Sequence, residues 1–102
     1  MIHHLVLFRF KEGLESTERG YILGQAARLG DIPSVRRLSV TSLLDPSDGA
    51  YRSHIWDEFE HALIIEFDDE AGLYAYQKDE FHVRFAREIR ERTERIRVVD
   101  FV

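Results

Sequence analysis

The chain has 102 residues, 44% of them hydrophobic and 32% charged, with a formal net charge of −5 and no cysteine. That length supports one hydrophobic core, read as a single domain over residues 1–102. The acidic balance argues against nucleic acid or an anionic membrane surface, since both select clustered Lys and Arg. Disulfides, thiolate metal ligands and thiol nucleophiles are excluded with the missing cysteine. No apolar run approaches the ~18 residues of a membrane span. The run Leu5 to Phe8 is too short for a signal peptide and ends in Arg9. A cytoplasmic protein is the expectation.

In chain order, HLVLFRFK (4–11) reads as a first strand. His4, Val6, Phe8 and Phe10 alternate with Leu5, Leu7, Arg9 and Lys11, so both faces carry apolar groups, as in a strand covered on both sides. EGLES makes a loop, and Ser16 is the expected N-cap of a helix running to about Leu29. Its inward face is Tyr21, Ile22, Ala26 and Leu29, with Gly20 and Gly24 each costing roughly 1 kcal/mol against Ala. Gly30 stands where a C-capping glycine would. RRLSVTSLL (36–44) is a second strand, and the turn-rich DPSDGAYRSHIWDEF (45–59) is a long excursion.

HALIIEF (61–67) is the third strand, with His61, Leu63, Ile65 and Phe67 on one face and Ala62, Ile64 and Glu66 on the other. Asp68 or Asp69 caps a helix in DDEAGLYAYQ, and Asp79 caps a second stretch drawn as far as Ile96. RVVDFV (97–102) closes the chain as a strand. The order β-α-β-β-α-β defines an α+β class and the split βαβ pattern of a ferredoxin-like sheet, with helices on one face only. Two-sided apolar strands then require a cover for the other face. With no element left to provide it, a second copy is the expected one, giving a homodimer.

Several side-chain groupings have both a plain and a chemical reading. Glu80–Arg84, Arg84–Glu88, Glu88–Arg92 and Glu91–Arg95 fall at i,i+4 spacing and describe a solvated helix face rather than a basic patch. Arg9 and Glu66, on strands taken as parallel neighbours, are expected to form a structural salt bridge at the mouth of the dimer interface. His82 shares a helix face with Phe85 and Ile89, where a lone histidine is ordinarily a hydrogen-bonded core residue. His4 and His61, however, start strands one and three and share the helix-facing side with Val6, Phe8, Leu63 and Ile65. Three imidazoles and Tyr76 are therefore expected to converge on one apolar cavity, and imidazole is the side chain that titrates near neutrality. Neither H-x-H nor H-E-x-x-H occurs, nor do the glycine-rich nucleotide motifs or G-x-S-x-G.

HHLVLFRFK, LGDIPSV, HALIIEFDDEAGLYAYQKDEFHVRF and the closing VVDFV together resemble the stress-responsive dimeric α/β-barrel (Dabb) family over nearly the whole chain. The resemblance implies a ferredoxin-like protomer whose sheet pairs face to face with its mate's to close a barrel. Family members include polyketide cyclases that use pocket histidines and tyrosines and no organic cofactor. Carried over by position, His82 would be the general base, Tyr76 would orient a substrate oxygen and His4 would assist. His61, Val6, Phe8, Leu63, Ile65 and Phe85 would line the pocket. The sequence departs from the family pattern at Asp79-Glu80, where the family has His-Pro, and at Gln25, where the cyclases have a tyrosine. Some relatives hold a cation on backbone carbonyls, which here would be those of Leu29, Ile32 and Val35, with magnesium as the ion. Three functions follow: cofactor-free acid–base chemistry on a carbonyl-rich substrate, ligand binding or stress protection without chemistry, and cofactor-free oxygenation.

Overall fold

A computed structural model describes residues 1–102. Its elements are β1 (Ile2–Phe10), α1 (Ser16–Arg28), a 3-10 turn (Leu29–Asp31), β2 (Arg37–Ser42), α2 (Gly49–Arg52), β3 (His61–Phe67), α3 (Glu70–Lys78), α4 (Glu80–Arg92) and β4 (Thr93–Phe101). With α2 a single turn inside the excursion and α3–α4 one layer broken at Asp79, this is the ferredoxin-like β-α-β-β-α-β fold. The sheet order is β2-β3-β1-β4, and every neighbouring pair is antiparallel.

Strands one and three are thus antiparallel, not parallel as the sequence pattern suggests. The crossover through α1 sets β1 parallel to β2, and the β2–β3 hairpin reverses the chain between them. The register pairs His4 with Ile65, Val6 with Leu63 and Phe8 with His61, which sends His4 and His61 to opposite ends of the sheet. The expected Arg9–Glu66 bridge falls with that register. The Arg9 guanidinium instead donates to the carbonyls of Asp57 (2.7 Å) and Glu58 (2.9 Å), while Glu66 faces His3 at 3.5 Å and Arg37 at 3.8 Å.

Local chemistry sets the helix ends. The Asp69 carboxylate accepts from the Gly72 N–H (2.9 Å) and Asp79 from that of Phe81 (2.8 Å), two N-caps worth about 1 kcal/mol each. At α1 the N-cap is Glu15, with no side-chain bond, so Ser16 does not cap as expected. Ile22, Ala26 and Leu29, at i, i+4 and i+7, make its buried stripe, whereas Tyr21 sits on the shoulder, 47% exposed, beneath the Arg92 guanidinium. Gly30 belongs to the 3-10 turn, and only Gly13, in the β1–α1 loop, takes a left-handed φ (85°).

The last helix stops four residues earlier than its sequence pattern suggests. Ile96 continues the spacing of Phe85 and Ile89, but it pairs opposite Phe8 in the sheet, where β1 needs a partner for its second row of backbone groups. Thr93 is already extended (φ −112°, ψ 142°), and its hydroxyl donates to the Ile89 carbonyl at 2.9 Å. Arg95 therefore lies on β4, paired with Glu58, and cannot meet Glu91 along a helix. The other three i,i+4 pairs do not close either: Arg84 lies over the Phe81 ring, and Arg92 reaches Glu18 (3.5 Å) and Glu91 (3.8 Å).

The core lies between sheet and helices, with Phe8, Leu63, Ile65, Phe67, Ile22 and Leu29 all at 0% exposure. Each contributes roughly 1.5–3 kcal/mol of apolar burial. Leu5, Leu7, Ala62, Ile64, Val99 and Phe101 share the opposite face by register. Ile64, Val99 and Phe101 are more than a third exposed there. Contrary to expectation, the chain does cover one end of this face itself: the excursion folds back so that Trp56 and Phe59 stand beside Leu7 and Ala62.

Candidate functional site

Three side chains that the sequence singled out meet beneath α4. His4 points from β1 into the helix-facing layer, 2% exposed, and its Nδ1 lies 2.6 Å from Oδ1 of Asp100, the residue directly opposite on β4. A carboxylate can only accept, so Nδ1 carries the hydrogen, and in the neutral form of the ring Nε2 is the lone-pair nitrogen. Tyr76 stands on α3, 1% exposed, its ring 5.9 Å from that of His4 and edge-on to it. His82 stands on α4 with its ring centroid 4.3 Å from that of Tyr76.

The break at Asp79 makes this meeting possible. Six residues apart on one continuous helix, Tyr76 and His82 would point in different directions, since each residue turns the face by about 100°. Asp79 is extended (φ −61°, ψ 135°), and restarting the helix there swings His82 back over Tyr76. The His82 Nδ1 donates to the Gln77 carbonyl at 3.3 Å, which again leaves Nε2 unprotonated in the neutral ring.

Burial sets the charge states. Desolvation is the main cause that holds the His82 imidazole below its ordinary value of 6.5; the His4 ring pushes the same way, and the Gln77 carbonyl partly opposes. Burial alone pushes the Tyr76 phenol well above its ordinary value, so it remains a neutral O–H donor. The three groups border a cavity of about 80 Å³ whose other walls include Val6, Phe85 and Val98.

Five of the expected residues are therefore together: His4, Tyr76, His82, Val6 and Phe85. Four are not. Phe8, Leu63 and Ile65 are sealed in the core, and His61 lies at the far end of the sheet. There its ring stacks on Phe8 at 5.3 Å and its Nδ1 is 3.2 Å from the Thr41 carbonyl. Two imidazoles converge rather than three. Sequence reasoning missed Asp100 and Val98; the alternation in VVDFV puts them on one face, but only the register with β1 reveals what that face meets.

The backbone positions to which the resemblance assigned a cation lie at and after the 3-10 turn. The carbonyls of Leu29 and Ile32 already accept turn bonds from Ile32 (3.2 Å) and Val35 (2.9 Å), so an ion there would share them. No three His, Cys, Asp or Glu side chains are grouped to hold a metal.

A four-stranded antiparallel sheet backed by helices on one face, with a small cavity between the two layers, defines a ferredoxin-like protein. The chain belongs to the stress responsive A/B barrel domain (Dabb) family, whose model matches residues 2–102. Among solved structures it is similar to a Dabb family protein of Mesorhizobium loti: 24% identity, TM-score 0.80, covering 99% of this chain and 94% of that one. It is similar also to the hydroxynitrile lyase of Passiflora edulis: 22% identity, TM-score 0.82, covering 98% and 90%. A third is a dimeric ferredoxin-like protein of Thermobifida fusca: 20% identity, TM-score 0.79, covering 99% and 89%. No curated protein matches the chain significantly in sequence.

Proposed function

We propose that the protein is a homodimeric enzyme that moves a proton on a small carbonyl compound without an organic cofactor. In this reading His82 is the general base. Its ring is kept neutral by desolvation, and with Nδ1 tied to Gln77 its Nε2 is the nitrogen able to take a proton from a substrate O–H, or from a C–H next to a carbonyl. Tyr76 donates its O–H to the substrate oxygen and stabilises the negative charge that builds there. His4, oriented by Asp100, hands a proton on or back, and the Asp100 carboxylate stabilises the imidazolium that forms in passing.

The observation that carries this reading is the shared cavity: two imidazoles, each fixed through Nδ1, and a neutral phenol around one space of about 80 Å³. Ligand pockets more often measure about 300–1,000 Å³, so the substrate is small, or enters with its reacting end only. That tightness is also what favours the second reading, a protein that binds without chemistry. A hydroxynitrile lyase on the same fold supports the enzyme. The dimer is supported by the exposed apolar row Ile64, Val99 and Phe101 and by relatives described as dimeric.

A panel of simple carbonyl compounds tests the chemistry directly. Small aldehydes and ketones are incubated with the protein in deuterated buffer, and loss of the α-proton signal is followed by NMR. Wild type should accelerate exchange for at least one compound, and His82→Ala should lose about 10²- to 10⁴-fold of that rate. Exchange no faster than with free imidazole across the panel would leave the binding protein as the better account.

A further inference from the structure

The walls of the cavity beneath α4 carry one permanent charge, and it is positive. Arg90 forms part of the lining together with Ala86 and His82, and no carboxylate does. The Asp100 carboxylate, engaged by the His4 Nδ1 at 2.6 Å, is not among the walls. His82, Ala86 and Arg90 stand at i, i+4 and i+8, one ridge along α4. The outer two Cα atoms are about 12 Å apart along the axis, and a long side chain on a helix leans back toward the N-terminus. The Arg90 stem therefore runs past the small Ala86 toward His82. Its guanidinium has no partner of its own. Arg84 lies over the Phe81 ring and Arg92 reaches Glu18 at 3.5 Å, whereas Arg90 meets neither carboxylate, carbonyl oxygen nor ring. Its field is felt at His82: desolvation is the main cause of that ring's lowered pKa, and the His4 ring and Arg90 add to it.

We infer, on the reading of this cavity as the site of proton transfer, that Arg90 determines specificity and that the substrate is a short oxo acid whose carboxylate Arg90 takes at the mouth. His4 and Tyr76 are buried, while Val98 on the edge strand β4 is 57% exposed and Arg90 lies at the surface of α4, so the opening is between those two. Space admits only the reacting end. A cavity of about 150 Å³ takes up benzene, so one of about 80 Å³ has room for a carbonyl and a carbon or two beside it. The remaining group lies at the opening, against the guanidinium. A carboxylate presents the planar pair of oxygens that this fork binds with two hydrogen bonds. Its single charge is balanced by one guanidinium, whereas a phosphate dianion would find no second permanent cation among the walls. An oxo acid held there has its carbonyl oxygen on the Tyr76 hydroxyl and the next carbon beside His82. The proton passes from that carbon to Nε2, the C–H electron pair enters the carbonyl, and the negative charge rests on the oxygen that Tyr76 holds. Arg90 keeps its charge throughout, so it acts on binding rather than on turnover.

2-Oxobutanoate and 2,3-pentanedione give the comparison, since the diketone carries a neutral acetyl group where the acid has its carboxylate. Loss of the α-methylene signal of each in deuterated buffer should show the full chain preferring the acid, mainly through KM. Arg90→Gln, at an exposed position, should lower that preference by about tenfold or more, and Arg90→Lys should restore part of it. Arg87→Gln removes an equal charge from the same helix outside the cavity and should leave the preference as it is. Binding is read separately from chemistry: 2-oxobutanoate should shift the His82 ring signals saturably, with Arg90→Gln weakening that binding by a similar factor. Saturable, Arg90-dependent binding with no exchange of either compound would remove the enzyme and keep the anion site. Exchange with a preference that Arg90→Gln does not change would keep the enzyme and overturn the role of Arg90. That role is overturned equally if 2-oxobutanoate fails to bind, or binds to Arg90→Gln as tightly as to wild type.

Discussion

A histidine on an apolar strand is ambiguous until its neighbours are known, and His4 shows how much the neighbours decide. Alternation alone places it in the helix-facing layer, but its partner, Asp100, is 96 residues away in the chain and no local pattern joins them. Asp100→Asn should cost about 1 kcal/mol in urea melts, below the roughly 1.5–3 kcal/mol usual for a hydrogen bond to a charged group, because the carboxylate is 40% exposed. An unchanged midpoint would mean that the bond adds nothing to folding. His82 makes a prediction with a sign. Its folded pKa lies below the 6.5 of the unfolded chain, so as the pH falls the unfolded state takes the proton first. The stability is present above about 6.5 and is lost as the pH drops through the lower folded value. Melts of wild type and His82→Gln between pH 8 and 5 should therefore diverge, wild type falling more steeply; parallel curves would show an unperturbed imidazole.

At the scale of elements, the third strand and the Asp79 cap were legible to the residue, and the α3 cap as one of two neighbours, Asp68 or Asp69, because each is written locally, in alternation or in a capping carboxylate. The α4–β4 junction was not, since Ile96 satisfies a helical spacing and a strand pairing equally well, and the choice is made by the open edge of β1. Thr93 is where the chain commits. Its hydroxyl closes the last turn of α4 and its backbone begins β4. Thr93→Val keeps the branched shape, which suits the strand, but leaves the buried Ile89 carbonyl short of a donor. That should cost about 1–3 kcal/mol, measured by denaturant unfolding, and a neutral result would show that water replaces the hydroxyl. The excursion was illegible for the opposite reason: residues 45–59 carry no period at all, and only the Arg9 anchors show that they lie across the sheet.

For the whole molecule, the two-sided apolar pattern of β1 and β3 announced that the second face needs a cover without saying how much the chain supplies itself. The excursion covers one end, and the row through Leu5, Ile64 and Val99 is left for the proposed mate. Wild type should sediment as a dimer at micromolar concentration. The wild-type unfolding midpoint should rise with protein concentration, and Ile64→Glu, at the centre of that row, should lower it, because interfaces of this kind behave as a core divided in two. A wild-type monomer at that concentration would remove the dimer from the proposal.

The pairing of β1 with β4 also sets a timetable. His3 lies beside Phe101, so a central strand of the sheet is flanked on one side by the last of the sheet's four strands to be synthesised. During translation β1 emerges with apolar groups on both faces and with neither edge satisfied, and it stays that way until β3 and then β4 have left the ribosome. Such a nascent strand is open to chaperones or to neighbouring chains until those strands arrive. Refolding must close that long loop before the sheet rewards it, so it is expected to be slower than that of helical bundles, on the order of milliseconds, as for mixed α and β topologies.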